Sequence, residues 1–367
     1  MHKNTLKKIH HYLAADNNLA ERYKRLRTEV LPIKPSQYDI ANTCNLRCEG
    51  CFYYSGDHAF KGEVDLSEEQ MDRFFAAEAA RGVNYAHFGG AEPSLVQDRL
   101  VAAYRHIKRG TIYTNGIVRI APEIRYRIHI SLWGNEETDH KLRGASIFHK
   151  ILRNYQGDER ALFVVTINRQ SLNQIEEVVK RCHDNGMKVT FNHYSPTVSY
   201  QYNVNNGTTN DSEFFRISNG DENLILKPED LKLARDTVNE MLDSYPETVI
   251  YHRDFNNWVT DSDGIYQIDP VSGAAQDCAS RLEGLMKHFA PDLSSIKDTK
   301  CCVPNIICES CRCFSMAMAS AIDRLEHFSQ SEEGFKQWLN IIDMWSDLFL
   351  VNEHKSTVCK SHKIASA

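Results

Sequence analysis

Three cysteines, Cys44, Cys48 and Cys51, form a C-x3-C-x2-C arrangement directly after a strand-like run over residues 37–41. Thiolates that converge from one tight loop can hold three irons of a 4Fe–4S cube. The fourth iron then has no protein ligand and is open to an exogenous one. A structural zinc site normally has four protein ligands, usually starting from a C-x2–4-C pair. The spacing therefore favours an open, reactive metal centre over a zinc knuckle or a chance group of thiols.

This loop resembles the cluster loop of the radical S-adenosylmethionine superfamily, which follows the first strand of the family's barrel. The resemblance implies that the open iron chelates the amino and carboxylate groups of S-adenosylmethionine. Electron transfer would then cleave the sulfonium and give a 5′-deoxyadenosyl radical, which removes a hydrogen atom from a substrate. Many members have an aromatic residue before the third cysteine. This chain has Gly50 there, and aromatic residues follow at Phe52, Tyr53 and Tyr54.

Apolar strand-like runs alternate with helix-like stretches from Pro35 onward. The stretch from Asp65 to Arg81 begins with a capping box of Ser67 and Gln70, which is typical of a helix start. Such alternation predicts an α/β fold with a parallel sheet and helices outside it. It resembles the family's partial (β/α)6 TIM-type barrel, where ligands sit at the C-terminal strand ends. The six runs lie near residues 37–42, 84–89, 110–114, 127–133, 161–168 and 187–193.

The second predicted strand ends in the stretch His-Phe-Gly-Gly-Ala-Glu-Pro, residues 87–93. This stretch resembles the family's Gly-Gly-Glu-Pro motif, whose backbone and glutamate bind the methionine amino group. The resemblance gives that role to Gly90, Ala91 and Glu92, with Ala91 in place of the second glycine. A β-carbon at Ala91 is tolerable only if that residue keeps φ below zero. An ordinary loop carboxylate is the alternative role for Glu92.

Later strand ends carry three more residues that match family landmarks. The resemblance implies that Ser131 contacts the ribose or the methionine carboxylate, and that Arg143 reaches the carboxylate. Asn168 is a candidate ligand for the carboxylate or the ribose. The sequence Thr-Asn-Gly at residues 114–116 is also a family signature, and otherwise simply a turn. Each of these residues has a structural alternative at a strand end or in a turn.

A second group of cysteines follows a hairpin-like stretch at residues 265–273. A G-x4-C spacing after a hairpin resembles half of an auxiliary-cluster domain of the SPASM or twitch type, although the cysteine that usually precedes the glycine is absent. The resemblance implies an auxiliary iron–sulfur cluster, with a zinc site on the same ligands or free thiols as alternatives. The implied ligands are Cys278, Cys308, Cys311 and one of Cys301 and Cys302, and Cys313 lies nearby.

These features predict four regions. An N-terminal helical extension precedes the barrel, whose polar, asparagine-rich last part, residues 196–226, forms a lid, a substrate wall or a surface loop. A cysteine-rich auxiliary-cluster region follows, and C-terminal helices and a tail complete the chain. The boundaries are 1–34, 35–226, 227–320 and 321–367.

Composition places the chain among globular proteins, with 42% hydrophobic and 25% charged residues. The net charge of −6 argues against a nucleic-acid partner, and no apolar run approaches the roughly 20 residues of a membrane span. The N-terminus lacks the apolar core of a signal peptide, so we expect a cytoplasmic location. In a reducing compartment, the eleven cysteines are better interpreted as metal ligands than as disulfides.

Together these observations predict a radical S-adenosylmethionine enzyme, an oxidoreductase or another radical catalyst, with a 4Fe–4S cluster and an electron donor such as flavodoxin or ferredoxin. We expect a small-molecule substrate. The alternative is a peptide maturase, but many of those carry an N-terminal winged-helix domain, for which residues 1–36 are too short. A non-enzymatic zinc-binding module is the alternative from another functional class. The strand-end motifs argue against it.

Overall fold

Seven parallel strands form the main sheet of this computed structural model, in the order β6-β5-β4-β3-β2-β1-β9. The structure describes residues 3–54, 59–211, 215–218, 222–281, 286–296 and 305–351. Two short strands, β7 (Asn210–Asp211) and β8 (Arg216–Ile217), pair separately as an antiparallel hairpin. The strands of the main sheet are β1 (Pro35–Ala41), β2 (Tyr85–Gly90), β3 (Gly110–Thr114), β4 (Arg127–Leu132), β5 (Ala161–Ile167), β6 (Val189–His193) and β9 (Lys287–Phe289).

The first six strands correspond to the six runs predicted from the sequence, and their parallel pairing confirms the partial TIM-type barrel. All seven residues of β5 are buried, as expected for a parallel strand covered on both faces. The seventh strand, β9, was not predicted. It extends the sheet beyond β1, with Gln37 opposite His288, although it comes from the region expected to form an auxiliary domain.

Helices cover the outer face of the sheet. They also gather at the end where the strands begin, which we call the lower end. Ser67 and Gln70 form the predicted capping box at the start of α3. The predicted helix before Gly186 consists of a 3-10 turn followed by α7. No described helix has the length and apolarity needed to cross a bilayer. The helices are α1 (Lys3–Ala15), α2 (Asn17–Glu29), α3 (Glu68–Ala80), α4 (Gln97–His106), α5 (Glu136–Arg143), α6 (Phe148–Tyr155), α7 (Ile175–Asp184), α8 (Val198–Asn205), α9 (Pro228–Ser244), α10 (Arg253–Val259), α11 (Phe314–Asp323), α12 (Leu325–Phe328) and α13 (Glu332–Phe349).

The C-terminal end of α13 closes the lower end of the barrel. A helix leaves its last carbonyls without intrahelical partners, and here side chains of the strands supply donors. Arg127 donates to the carbonyls of Asp347 at 2.6 Å and Leu350 at 3.1 Å. The ring of His129 bonds the carbonyl of Leu348 at 2.9 Å. The cationic Arg127 also lies at the negative end of the helix dipole, so the contact is electrostatically favourable.

The N-terminal helices pack on α13. Arg22 and Arg25 of α2 both pair with Asp343 of α13. The ring of Tyr23 lies against Phe335, with centroids 5.7 Å apart. The first and last described segments of the chain are therefore held together beneath the barrel.

Candidate functional site

A cavity of about 310 Å³ lies at the C-terminal ends of the strands and continues into the barrel. Most of the residues that the sequence singled out line this one cavity. Among the other described candidates, Asn168, Cys278, Cys308 and Cys311 do not line it, whereas Cys313 does. The predicted residues that line it are Cys44, Cys48, Cys51, Gly90, Ala91, Glu92, Ser131 and Arg143.

The three loop cysteines are half-buried in the wall of this cavity. Burial raises the pKa of the Cys44 and Cys48 thiols to about 12, and that of Cys51 to about 11. Backbone amides of Tyr53 and Tyr54 oppose the rise at Cys51 because they donate hydrogen bonds to the sulfur. As free thiols these groups are protonated at neutral pH, so a metal that binds them must displace the protons.

Arg143 is a buried cation beside this loop, and its side chain is only 1% exposed. It donates to the carbonyls of Ser131 at 2.6 Å and Asn115 at 3.1 Å, and it pairs with Asp139 at 3.3 Å. Its positive charge lowers the pKa of the Cys48 thiol against the effect of burial. Arg143 can therefore partly neutralise negative charge gathered at the loop.

Gly50 occupies a position where no side chain fits. Its φ is +53°, and an added β-carbon would stand 2.2 Å from the hydroxyl oxygen of Tyr194. That hydroxyl donates to the Gly50 carbonyl at 3.0 Å. The ring of Tyr194 packs against Phe52, with centroids 5.5 Å apart, and lines the cavity. Tyr194, which follows β6, therefore places an aromatic ring beside Gly50, the residue before the third cysteine.

The segment after β6 covers the outer side of the loop. Glu49 accepts hydrogen bonds from the backbone amide of Ser218 at 2.8 Å and from its hydroxyl at 2.7 Å. Tyr200 of α8 donates to the same carboxylate at 3.2 Å. The described part of the predicted polar loop therefore includes α8 and the β7–β8 hairpin, and it forms a wall over the cysteines.

The turn after β2 brings Glu92 into a buried position that is 1% exposed. One carboxylate oxygen accepts from the Thr114 hydroxyl at 2.5 Å and the Ser94 amide at 3.0 Å. The other accepts from the Asn115 amide at 2.8 Å. Glu92 therefore joins the ends of β2 and β3, a positioning task that the sequence motif did not reveal.

Gly90 and Ala91 differ in their backbone requirements. Gly90 has a φ of +102°, and an added β-carbon would lie 2.6 Å from the Ala41 carbonyl, so only glycine fits. The described non-glycine residues with positive φ are Leu293 and Asn305. Ala91 is not among them. It therefore meets the condition stated above, a φ that is not positive, under which its β-carbon is tolerated.

Ser131 and Asn168 lie in different environments. Ser131 lines the cavity at the end of β4. Asn168 is fully buried, and its amide group donates to the Thr166 carbonyl at 3.0 Å while accepting from the Gln170 amide at 3.0 Å. Asparagine often stabilises turns in this way. The structure therefore places Asn168 in the turn after β5, and it is Thr166 that faces the cavity.

Polar side chains line the deeper part of the cavity, which we call the inner wall. Burial lowers the pKa of His87 to about 4 and that of His129 to about 3, so both are neutral at pH 7. His87 bonds the hydroxyl of Tyr113 at 3.0 Å. The sequence did not predict this group, although polar residues inside apolar strand runs were a usable signal. The inner wall consists of Gln37, Asp39, His87, Tyr113, His129 and Asn192.

The second group of cysteines gathers around the ring of Tyr266. Cys278, Cys308 and Cys311 are buried, and each lies in a small apolar cluster against which Tyr266 packs. Burial raises the pKa of Tyr266, and the thiols of Cys311 and Cys278 add to this effect. Cys313, two residues beyond Cys311, lines the central cavity. The predicted ligand Cys301 and its neighbour Cys302 lie outside the described residues.

The donor chemistry of the Cys44–Cys51 loop fits a 4Fe–4S cluster. Three thiols, backbone amides directed at sulfur and a buried guanidinium share one water-poor position. Within the described residues, no group of three or more His, Cys, Asp or Glu side chains is arranged to hold a single metal ion. A cube makes a different geometric demand, because each cysteine bonds a different iron.

Comparisons with known proteins agree with this geometry. Residues 38–199 match the Radical SAM superfamily. No curated protein matches the chain. Among solved structures, hexahistidine-tagged anSMEcpe with bound AdoMet is 13% identical, with 88% of this chain and 98% of that one covered and a TM-score of 0.51. SuiB of Streptococcus suis bound to S-adenosylmethionine is 15% identical over 78% of this chain, with a TM-score of 0.49, and the chain spans 64% of its length. Identities this low show a shared fold alone.

Proposed function

Because the chain belongs to the radical S-adenosylmethionine superfamily, we propose that it is an enzyme that removes a hydrogen atom from a small organic substrate after reductive cleavage of S-adenosylmethionine. One observation carries this proposal: the three loop cysteines, the turn at Gly90–Glu92 and Arg143 all face a single cavity. The family implies a 4Fe–4S cluster and S-adenosylmethionine as cofactors, which together supply the 5′-deoxyadenosyl radical.

Each part of the chain has a defined task in this proposal. Cys44, Cys48 and Cys51 would hold the cluster. The backbone at Gly90 and Ala91 would bind the methionine amino group, and Glu92 would fix that turn and contribute negative charge. Ser131 and Arg143 would bind the carboxylate or the ribose of S-adenosylmethionine. Arg143 would also offset charge on the thiolates, which is valuable where water is excluded. Asn168 would position the β5 turn and not contact the cofactor directly.

The cluster assignment is tested by the variant Cys44→Ala/Cys48→Ala/Cys51→Ala. Anaerobically purified protein is expected to lose about four irons per chain, because a cube cannot be held without its thiolates. Deoxyadenosine formation from S-adenosylmethionine is expected to stop. Cys182→Ala, at a buried thiol on α7, is the matched control and should keep its iron. Deoxyadenosine formation by the triple variant at the wild-type rate would contradict the proposal.

The second group of cysteines supports a further metal site in the same enzyme. We infer an auxiliary iron–sulfur cluster bound by Cys278, Cys308 and Cys311, because these three buried thiols gather around Tyr266. Cys313 is a candidate fourth ligand beside Cys301 and Cys302. Its position in the cavity wall would bring such a site next to the substrate.

The auxiliary site is tested by elemental analysis of the wild type and of the variant Cys278→Ala/Cys308→Ala/Cys311→Ala. About eight irons in the wild type and about four in the variant are expected for two cubes. One zinc with about four irons would show that the site is structural, and the variant should then be less stable. A wild type with about four irons and no zinc would contradict both forms of the site.

A further inference from the structure

Asp39 of the inner wall belongs to a buried carboxylate–imidazole pair that has no role in the functions described so far. Asp39 of β1 and His288 of β9 approach to 3.0 Å, between Oδ2 and Nε2. Their side chains are 5% and 2% exposed. Burying a carboxylate is costly unless it is paired and hydrogen-bonded, so the pair needs a physical reason. The seventh strand is what brings the histidine to this position.

The pair retains unused hydrogen-bonding capacity. His288 Nε2 pairs with Asp39 Oδ2 and also lies 3.3 Å from the side-chain amide nitrogen of Gln37. Among the described residues, no hydrogen bond reaches the other carboxylate oxygen, Oδ1, although Asp39 lines the cavity. A β-carbon at Gly89 would stand 3.6 Å from Oδ1, so the glycine leaves this oxygen uncovered. Oδ1 is therefore an acceptor that faces the cavity.

Strand register places the pair deeper than the proposed cofactor turn. Asp39 lies opposite Gly89, and Gln37 lies opposite both His87 and His288. Gly89 precedes Ala91 by two residues, which corresponds to roughly 7 Å along a strand. The pair consequently lies below the turn at Gly90–Glu92, deeper in the same cavity.

The charge of the inner wall limits what can bind there. Both oxygens of Glu92 are taken by donors of the chain, and Arg143 is paired with Asp139. Burial keeps His87 and His129 neutral at pH 7. Asp39 is therefore the one ionisable acceptor with an uncommitted oxygen among the described residues that line the cavity. A phosphate or carboxylate placed against it would be repelled.

We propose that Asp39, oriented by His288, binds a hydrogen-bond donor of the substrate, either a hydroxyl or an ammonium group. This inference rests on the proposed function and narrows its substrate class to polyols, amino alcohols and amines, against acids and phosphate esters. The contact anchors one end of the substrate and so fixes which C–H bond reaches the radical, a matter of orientation. His288 acts as a positioning residue through Asp39.

Three small probes of similar shape test the inference: 2-amino-1,3-propanediol, glycerol and glycerate. Their binding to the anaerobically reconstituted full chain, saturated with S-adenosylmethionine, is measured by ligand-observed NMR. The amino diol, glycerol or both should bind at least about tenfold more tightly than glycerate, and Asp39→Asn should remove at least about tenfold of that preference. Tight binding of the amino diol alone identifies an ammonium group, and equal binding of glycerol identifies a hydroxyl.

Two further variants separate positioning from folding. His288→Gln keeps an N–H donor and should retain the preference, whereas His288→Leu should lose it. Asp254→Asn changes a second His–Asp pair, formed by Asp254 in the first turn of α10 and the preceding His252, and should behave as the wild type. Equal binding of glycerate, no binding of the other two probes, or an unchanged preference in Asp39→Asn would overturn the inference. A wild type with the expected preference but no deoxyadenosine formation would contradict the proposed function and leave this subsite standing.

Discussion

Glu92 shows at the scale of one residue how a carboxylate can act by holding backbone in place. It receives three hydrogen bonds from Ser94, Thr114 and Asn115, in a position almost without solvent. Hydrogen bonds to a charged acceptor contribute about 1.5–3 kcal/mol each. The negative charge and the shape of the turn after β2 therefore depend on the same side chain.

Glu92→Gln is expected to weaken S-adenosylmethionine binding by about 10- to 150-fold, the equivalent of one charge-assisted hydrogen bond. The side-chain amide of the glutamine would also place its own N–H donors against the Thr114 hydroxyl or the Asn115 backbone amide, and so disturb the turn. Equilibrium dialysis measures the affinity, and iron content should not change because the carboxylate is not a cluster ligand. Glu78→Gln is the matched control, since Glu78 is another buried carboxylate, held by Tyr38 and Arg81 on the outer side of the barrel. Wild-type affinity for S-adenosylmethionine in Glu92→Gln would show that Glu92 does not contribute to its binding.

At the scale of elements, α3 is the clearest case of local sequence determining local structure. Ser67 accepts from the Gln70 amide at 3.2 Å, and the Gln70 side chain accepts from the Ser67 amide at 2.8 Å. Two of the donors that a helix start leaves free are thereby satisfied. The box fixes where the helix begins and hence how its apolar face meets β1 and β2.

Ser67→Ala is expected to lower the free energy of unfolding by about 1 kcal/mol, because one amide at the helix start loses its acceptor. Urea denaturation followed by circular dichroism measures the change. Ser67→Asp keeps an acceptor at the same position and should recover most of the loss. An unchanged midpoint in the alanine variant, or an aspartate variant as unstable as alanine, would argue against the cap.

The sequence predicted the elements that are long or locally encoded, and failed where position depends on distant partners. Six strands and their parallel order follow from apolar runs and intervening helices. The strand β9 has three residues, Lys287–Phe289, too few for any periodic signal, and it forms only because β1 offers a free edge. The pair of Asp39 and His288 depends on that strand and was missed with it. For Asn168, a predicted strand end suits a ligand and a turn equally well, so the sequence could not choose between the cofactor and the β5 turn.

At the scale of the whole molecule, three buried histidines link stability to pH. Burial lowers the pKa of His87 to about 4, and those of His129 and His193 to about 3. In the unfolded chain a histidine has a pKa of about 6.5. Below that value the unfolded state binds protons that the native state does not, so stability falls as the pH falls.

We expect the free energy of unfolding to drop by about 1 kcal/mol per histidine between pH 7.5 and 5.5. Anaerobic urea denaturation at the two pH values, followed by tryptophan fluorescence, measures the difference. His193→Phe should reduce the drop, because both ring nitrogens of His193 lack partners among the described residues and its loss breaks no hydrogen bond. A midpoint that rises or stays constant on acidification would show that these rings are protonated in the native state.

The closure of the barrel by α13 has a consequence for how the protein forms on the ribosome. Arg127 and His129 emerge more than 200 residues before the carbonyls of Asp347 and Leu348 that satisfy them. Until then the nascent barrel holds buried polar groups without partners and an open apolar end, a state prone to aggregation. Completion of the fold must therefore wait for the last helix to leave the exit tunnel. The unfinished barrel is accordingly the stage of this protein's synthesis at which a molecular chaperone has most to protect.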